Sequence, residues 1–157
     1  MRVRYRLTYQ TSTCAQPTDI ITSYVSYAAT LDPNGLTASR CNCTYCTKLS
    51  ITGIRISPSD FHLLTPSSLN DPGIGNYQGK SEAINRYFCR TCGAQICVQG
   101  SYEWKGQSFE IFTVSVNTID QPQAGLDLKD VKVQYFDGLH DNFEAGSKQE
   151  PWANGLQ

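Results

Sequence analysis

The sequence predicts a single all-β domain, and three observations predict it. Apolar residues alternate with polar ones over several short runs, turn-forming residues punctuate those runs, and no segment carries a long 3.6-residue period. The first run is Arg2-Val3-Arg4-Tyr5-Arg6-Leu7-Thr8-Tyr9, with Val3, Tyr5, Leu7 and Tyr9 on one face and the three arginines on the other. That is a half-buried strand whose arginines meet solvent. Residues 20–29 are rich in β-branched and aromatic side chains and give a second strand, closed by the turn sequence Asp32-Pro33-Asn34-Gly35. Residues 51–56 form a short strand stopped by Pro58, and residues 57–79, with their prolines, glycines and asparagines, are expected to be mostly loop. Gln95-Ile96-Cys97-Val98 is strand-like, and Glu103-Trp104-Lys105 marks a hairpin tip. Residues 108–117 are the clearest strand. Phe109 and Ile111 lie on one face and Phe112, Val114 and Val116 on the other, which predicts burial on both. Val131, Val133 and Tyr135 alternate with Lys132 and Gln134 to give a last strand, and residues 138–157 read as a polar surface tail.

A chain of 157 residues accommodates one domain. Its hydrophobic fraction of 39%, with 9 Tyr, 6 Phe and 2 Trp, suffices for a core and argues against disorder. Thirteen Lys and Arg against fourteen Asp and Glu leave a net charge of -1, which lacks the basic footprint of a nucleic-acid binder. No apolar run reaches the length of a membrane span, and residues 1–10 hold no signal-peptide core, so the expectation is a soluble, cytoplasmic protein.

Seven cysteines are too many for chance and odd in number, so they cannot all pair internally. In a reducing compartment their clustering favours metal binding or catalysis over disulfides. One cluster is Cys41-Asn42-Cys43-Thr44-Tyr45-Cys46, the other Cys89-Arg90-Thr91-Cys92-Gly93, and Cys14 and Cys97 stand apart. A Cys-x-x-Cys-Gly turn is a common metal knuckle, in which the glycine allows a positive φ. A Cys-x-Cys-x-x-Cys triplet can place three thiolates on one Zn²⁺ and leave its fourth tetrahedral position free. Structural zinc sites are closed by four protein ligands, whereas catalytic ones keep a position open. Two arrangements therefore follow: triplet and pair share one closed ion that only staples the domain, or the triplet holds an open ion of its own. Cys97, in its apolar run, reads as a packed core thiol. Cys14 lies between two predicted strands, and the sequon Asn42-Cys43-Thr44 is discounted because it falls inside the cluster.

The triplet with Lys48, followed by Tyr87-Phe88-Cys89-Arg90-Thr91-Cys92-Gly93-Ala94, resembles the glutathione-dependent formaldehyde-activating enzyme family, also called the centromere protein V-like carbon–sulfur lyase family. Val116-Asn117-Thr118-Ile119 and Val133-Gln134-Tyr135-Phe136-Asp137-Gly138 look like its "valine-asparagine" strand and terminal aspartate-glycine turn, as in fungal-type members. The resemblance implies a β-tent fold of small antiparallel sheets around zinc-binding cysteine clusters, over residues 1–140, with 141–157 as a polar C-terminal tail. It implies Zn²⁺ as cofactor at two sites. The structural one takes Cys89 and Cys92 together with an early Cys-x-Cys, and the catalytic or glutathione-responsive one takes Cys41, Cys43 and Cys46. The early motif is degenerate: Cys14 alone stands near its place, flanked at a one-residue gap by Ser12 and Gln16.

Other polar residues offer less. His62 and His140 are the only histidines and read as solvated or packed. Neither a nucleophile elbow nor a phosphate loop is present, and Asp60, Glu82, Glu103 and Glu110 show no paired spacing. Tyr102, Trp104, Phe112 and Tyr135 read as packing residues. Arg86 stands where many relatives of the resembled family carry a histidine, and is either a surface charge or an anion contact. The functional expectation is a zinc-dependent lyase acting at a carbon–sulfur bond, or an enzyme forming thiol adducts, on a small molecule such as glutathione or its adduct. The alternatives are a divergent enzyme performing sulfur-independent addition, elimination or cyclisation on a carbonyl compound, and a non-catalytic zinc-stapled binding module.

Overall fold

The computed structural model describes residues 5–9, 25–32, 36–79 and 81–155. The all-β class is borne out: among the described residues ten strands form two sheets, and the α-helical content is a single five-residue turn. The smaller sheet has the order β1 (Tyr5–Tyr9), β2 (Ser26–Leu31) and β5 (Phe61–Thr65). The larger runs β10 (Lys132–Phe136), β3 (Thr37–Cys41), β4 (Thr52–Arg55), β9 (Gln107–Ser115), β8 (Gln95–Trp104), β7 (Ile84–Cys89) and β6 (Ile74–Tyr77). Neither sheet closes into a barrel. All neighbouring pairs are antiparallel except β10 and β3, which run parallel.

The core lies between the sheets. Tyr27, Ala29 and Leu31 of β2 pack with Ile54, Ile96, Cys97, Phe112 and Val114 of the larger sheet. Three rings form the bridge: Tyr27 lies 5.1 Å from Phe61, and Phe61 lies 4.9 Å from Phe112. Tilted pairs at such separations add about 0.5–1.5 kcal/mol each beyond the area they bury. The Tyr27 hydroxyl, fully buried, is satisfied by Thr118 Oγ1 at 2.7 Å. Thr118 is therefore part of the core as well as of the "valine-asparagine" segment.

Several expectations need correction. The strand assigned to 20–29 runs from Ser26 to Leu31, and 20–24 lie outside the described residues. Strand β3, Thr-Ala-Ser-Arg-Cys, carries one apolar side chain that periodicity could register, Ala38, and it is a strand because β10 and β4 flank it. The stretch 57–79 holds β5 and β6 as well as loops. Strand β9 is buried more deeply on one face than on the other. Phe112 and Val114 face the core, while Phe109 stacks at 5.5 Å on Tyr102 on the outer, half-covered face. The hairpin tip falls two residues later than Glu103: Trp104 pairs with Gln107, and Lys105 and Gly106 both take positive φ, as a two-residue primed turn requires.

The parallel pair positions everything that follows. Its register sets Phe136 beside Cys41, so the Asp137-Gly138 turn arrives directly against the cysteine loop that leaves β3.

Candidate metal centre

Cys41 ends β3, Cys43 precedes the helical turn α1 (Thr44–Lys48), and Cys46 lies within it. The Thr47 N–H donates to the Cys43 carbonyl at 2.9 Å, and the Ile51 N–H to the Cys46 carbonyl at 2.9 Å, so the loop curls tightly enough to gather all three side chains. Their sulfurs lie within 4.8 Å of one another. Tetrahedral coordination with Zn–S bonds of about 2.3 Å would set sulfurs about 3.8 Å apart. The cluster thus needs to contract by about 1 Å at most to hold such an ion. Soft thiolates of this kind suit zinc over hard cations.

The three thiols share their protons unequally. The Cys43 thiol is held well below its ordinary value by hydrogen bonds from the Cys41 and Cys46 side chains, and the backbone N–H groups of Cys46 and Tyr45 act the same way. Cys41 is raised by its hydrogen bond to Cys43. Cys46 is raised by its hydrogen bonds to Cys41 and Cys43, with burial adding to the effect. One thiolate thus forms readily and the second and third resist. A bound cation would remove that resistance, so metal binding here would release protons.

Asn42, between the first two cysteines, is buried and fully engaged. Its Nδ2 donates to Asp137 Oδ1 at 2.8 Å and to the Ala153 carbonyl at 3.2 Å, while its Oδ1 accepts from the Leu139 N–H at 2.9 Å. Its own N–H donates to the Phe136 carbonyl at 3.2 Å. Asp137, also buried, is held below the usual carboxylate range chiefly by the Asn42 bond, with His140 adding to it. Because an ionised carboxylate only accepts, the His140 Nδ1–H donates to it, at 2.9 Å. Gly138 is required by proximity: a Cβ there would sit 2.4 Å from Cys41 Sγ. The C-terminal segment completes the wall. Tyr135 exchanges two backbone bonds with Lys148, and Trp152 Nε1 donates to the Tyr135 carbonyl at 3.1 Å. On this side of Cys41 and Cys46, Ile51, Phe136, Trp152 and Gly155 leave a cavity of only about 10 Å³, room for one water at most.

The second cluster lies elsewhere. Among the described residues the grouping of three or more potential ligands is Cys41, Cys43 and Cys46, and Cys89 and Cys92 do not join it. Cys89 is buried at the end of β7, Cys92 is exposed, and Gly93 takes the expected positive φ of 77° as its N–H donates to the Cys89 carbonyl at 2.8 Å. Cys14 lies outside the described residues. Cys97 is a core thiol, fully buried and pushed up to about 12 by burial. His62 is exposed on β5, whereas His140, read as a tail residue, is tied to the scaffold of the cysteine loop through Asp137.

The sequence reading missed Asn42 as a scaffold residue, along with Tyr45, Tyr77 and the docking of Trp152 and Ala153. Asn42 meets partners 95 and 111 residues away, so no local spacing announces it. The aspartate-glycine turn was a legible signal, and the structure supplies its reason.

Among solved structures, the chain is similar to a crystal structure of a Rhodobacter sphaeroides protein determined as a structural-genomics target. The two share 20% identity over 71% of this chain and 92% of the other, with a TM-score of 0.52, a likeness of fold. No curated protein matches the chain. Residues 21–135, which span the triplet, the Cys89–Cys92 pair and most of the strand that leads to Asp137, match the family described as glutathione-dependent formaldehyde-activating enzyme, and the chain belongs to that family.

Proposed function

We propose that the protein is a zinc-dependent enzyme acting at a carbon–sulfur bond, with glutathione or a glutathione adduct as the class of substrate and the cytoplasm as its compartment. The observation that carries this reading is the convergence of three cysteine sulfurs within 4.8 Å on one short loop. The ion would be held by Cys41, Cys43 and Cys46, and when bound there it would lower the pKa of a substrate thiol at its remaining position. Asn42 and Gly138 hold the loop so that the sulfurs need little rearrangement. The Cys43 N–H, 3.4 Å from Cys41 Sγ, offsets part of the surplus negative charge that three thiolates carry. The cavity of about 10 Å³ behind Cys41 and Cys46 is too small to hold a substrate.

In the adduct-forming direction, the substrate sulfur adds to a carbonyl carbon. The S–C bond forms, the C–O π bond breaks, and the thiol proton ends on the oxygen. The lyase direction is the reverse, and neither needs an oxidant or reductant. Cys89 and Cys92, with Cys14 as a third candidate ligand, are assigned a separate structural zinc, on the family pattern and on the knuckle-like turn at Gly93.

The test is metal analysis followed by cobalt substitution. Zinc should co-purify, and glutathione should alter the absorption of the cobalt form, since a new thiolate ligand enters an open site. A correctly loaded protein whose spectrum ignores glutathione and other thiols would favour the non-catalytic, stapled reading instead.

A further inference from the structure

Arg86 has no part in the chemistry above, yet it is held beside the cysteine loop. Tyr45 belongs to that loop, immediately before Cys46. Tyr77 on β6 is the register partner of Arg86 on β7. The Tyr45 and Tyr77 rings stack in parallel, 5.0 Å apart with 3° between their planes. The Arg86 guanidinium carbon lies 5.1 Å from the centre of Tyr45 and 5.9 Å from that of Tyr77.

We propose that Arg86, stacked on the Tyr45–Tyr77 pair, recognises a carboxylate on the molecule that the cysteine triplet acts on. The proposal rests on the reading that the triplet is the reacting centre. Three features support it. First, among the described residues no carboxylate pairs with Arg86, and its side chain makes one long hydrogen bond, from Nη1 to the Ile84 carbonyl at 3.4 Å. A guanidinium has five N–H donors, so most of its capacity is unused. Second, the aromatic pair restrains the guanidinium through cation–π attraction, which reduces the entropy lost when a ligand binds. Tyr77 is 48% exposed, so the platform is open to solvent. Third, the platform is joined to the cysteine loop itself, since Tyr45 lies between Cys43 and Cys46 and stacks on Tyr77. One planar fork with one charge matches a carboxylate, which it grips in two parallel hydrogen bonds. The competing explanation is that Arg86 merely clamps β6 and β7 to the helical turn.

Cobalt-loaded wild type and Arg86→Gln would be titrated with 3-mercaptopropionate and 2-mercaptoethanol, which differ in the acid group. The expected result is a preference of roughly tenfold for the acid in wild type, the size of a charge-assisted hydrogen bond in water-exposed surroundings. Arg86→Gln should abolish the preference and leave 2-mercaptoethanol binding unchanged. Arg86→Lys, which keeps the charge but not the fork, should retain part of it. A wild type without preference, or an Arg86→Gln protein that keeps it, overturns the proposal. Should neither thiol perturb the cobalt spectrum, thiol activation fails, and Arg86 is judged separately by the ¹⁵N-labelled arginine Nε–Hε resonance that Arg86→Gln removes. Movement of that resonance with propionate and not with propanol sustains carboxylate recognition. A resonance indifferent to both leaves only the clamp.

Discussion

Around Cys97 the neighbours are Tyr27, Phe112, Val114 and Ile96, drawn from both sheets and packed by shape. Around Cys43 the neighbours are two further sulfurs and the N–H groups of a helical turn, and the loop is fastened by hydrogen bonds to a segment some hundred residues away. The same side chain has opposite acidities in these two regions. Burial without a partner pushes the Cys97 thiol up to about 12, whereas donors converging on Cys43 push it down. Packing and acidity are thus set separately at Cys97 and Cys43, which lets each region be perturbed without the other.

The largest separation should come from Cys43→Ala. It removes the thiolate that forms most readily, so metal at the triplet and thiol-dependent turnover should both be lost, by at least about a hundredfold in turnover. Cys41, Cys43 and Cys46 are not members of the buried core cluster, so near-ultraviolet circular dichroism and cooperative unfolding should survive. A variant that retains one equivalent of metal at the triplet, or one that fails to fold at all, would erase the distinction between the regions.

Gly138→Ala tests how rigidly the scaffold aims the sulfurs. The new Cβ would meet Cys41 Sγ at 2.4 Å, so either the turn or the cysteine must move. The Asn42–Asp137 bond resists movement of the turn. Metal affinity, measured by competition with a chelator, should fall about 10–100-fold, the cost typical of disturbing the support around a metal ligand. Unchanged affinity would mean that the loop is softer than its hydrogen bonds indicate.

The smallest effect is read from pH. Burial pushes the Cys97 thiol up to about 12 in the native state, against 9.0 for an unburied thiol. Above pH 9 the unfolded chain releases this proton and the folded one does not. Stability is therefore fully present below pH 9 and falls as pH rises toward 12, by about 1.4 kcal/mol per unit. Cys97→Ala should lower stability at pH 7 through the small cavity it leaves, by about 1 kcal/mol, and flatten the alkaline limb. Chemical denaturation of both proteins, metal-free, at pH 7 and pH 10 measures the two effects. An identical alkaline slope would show that Cys97 does not govern it.

The order of the cysteines, their spacing and the Asp137-Gly138 pair were enough to name the family and to single out the triplet, because a cysteine cluster built within six residues is local. The all-β class and the strands with clear alternation were legible for the same reason, as was Cys97 in its apolar run. Strand β3 was not, since its sequence of small and polar residues becomes a strand only when β10 and β4 pair with it. Nor was the role of Asn42, whose partners lie 95 and 111 residues away. The Tyr45–Tyr77–Arg86 stack joins the cysteine loop to two strands at the far edge of the larger sheet, and single-sequence periodicity carries no information on which aromatic meets which. The candidate ligands were singled out by chain-local spacing. The parallel register of β10 on β3 decided what holds those ligands in place, because only that pairing delivers a carboxylate, a glycine and the C-terminal segment to one loop.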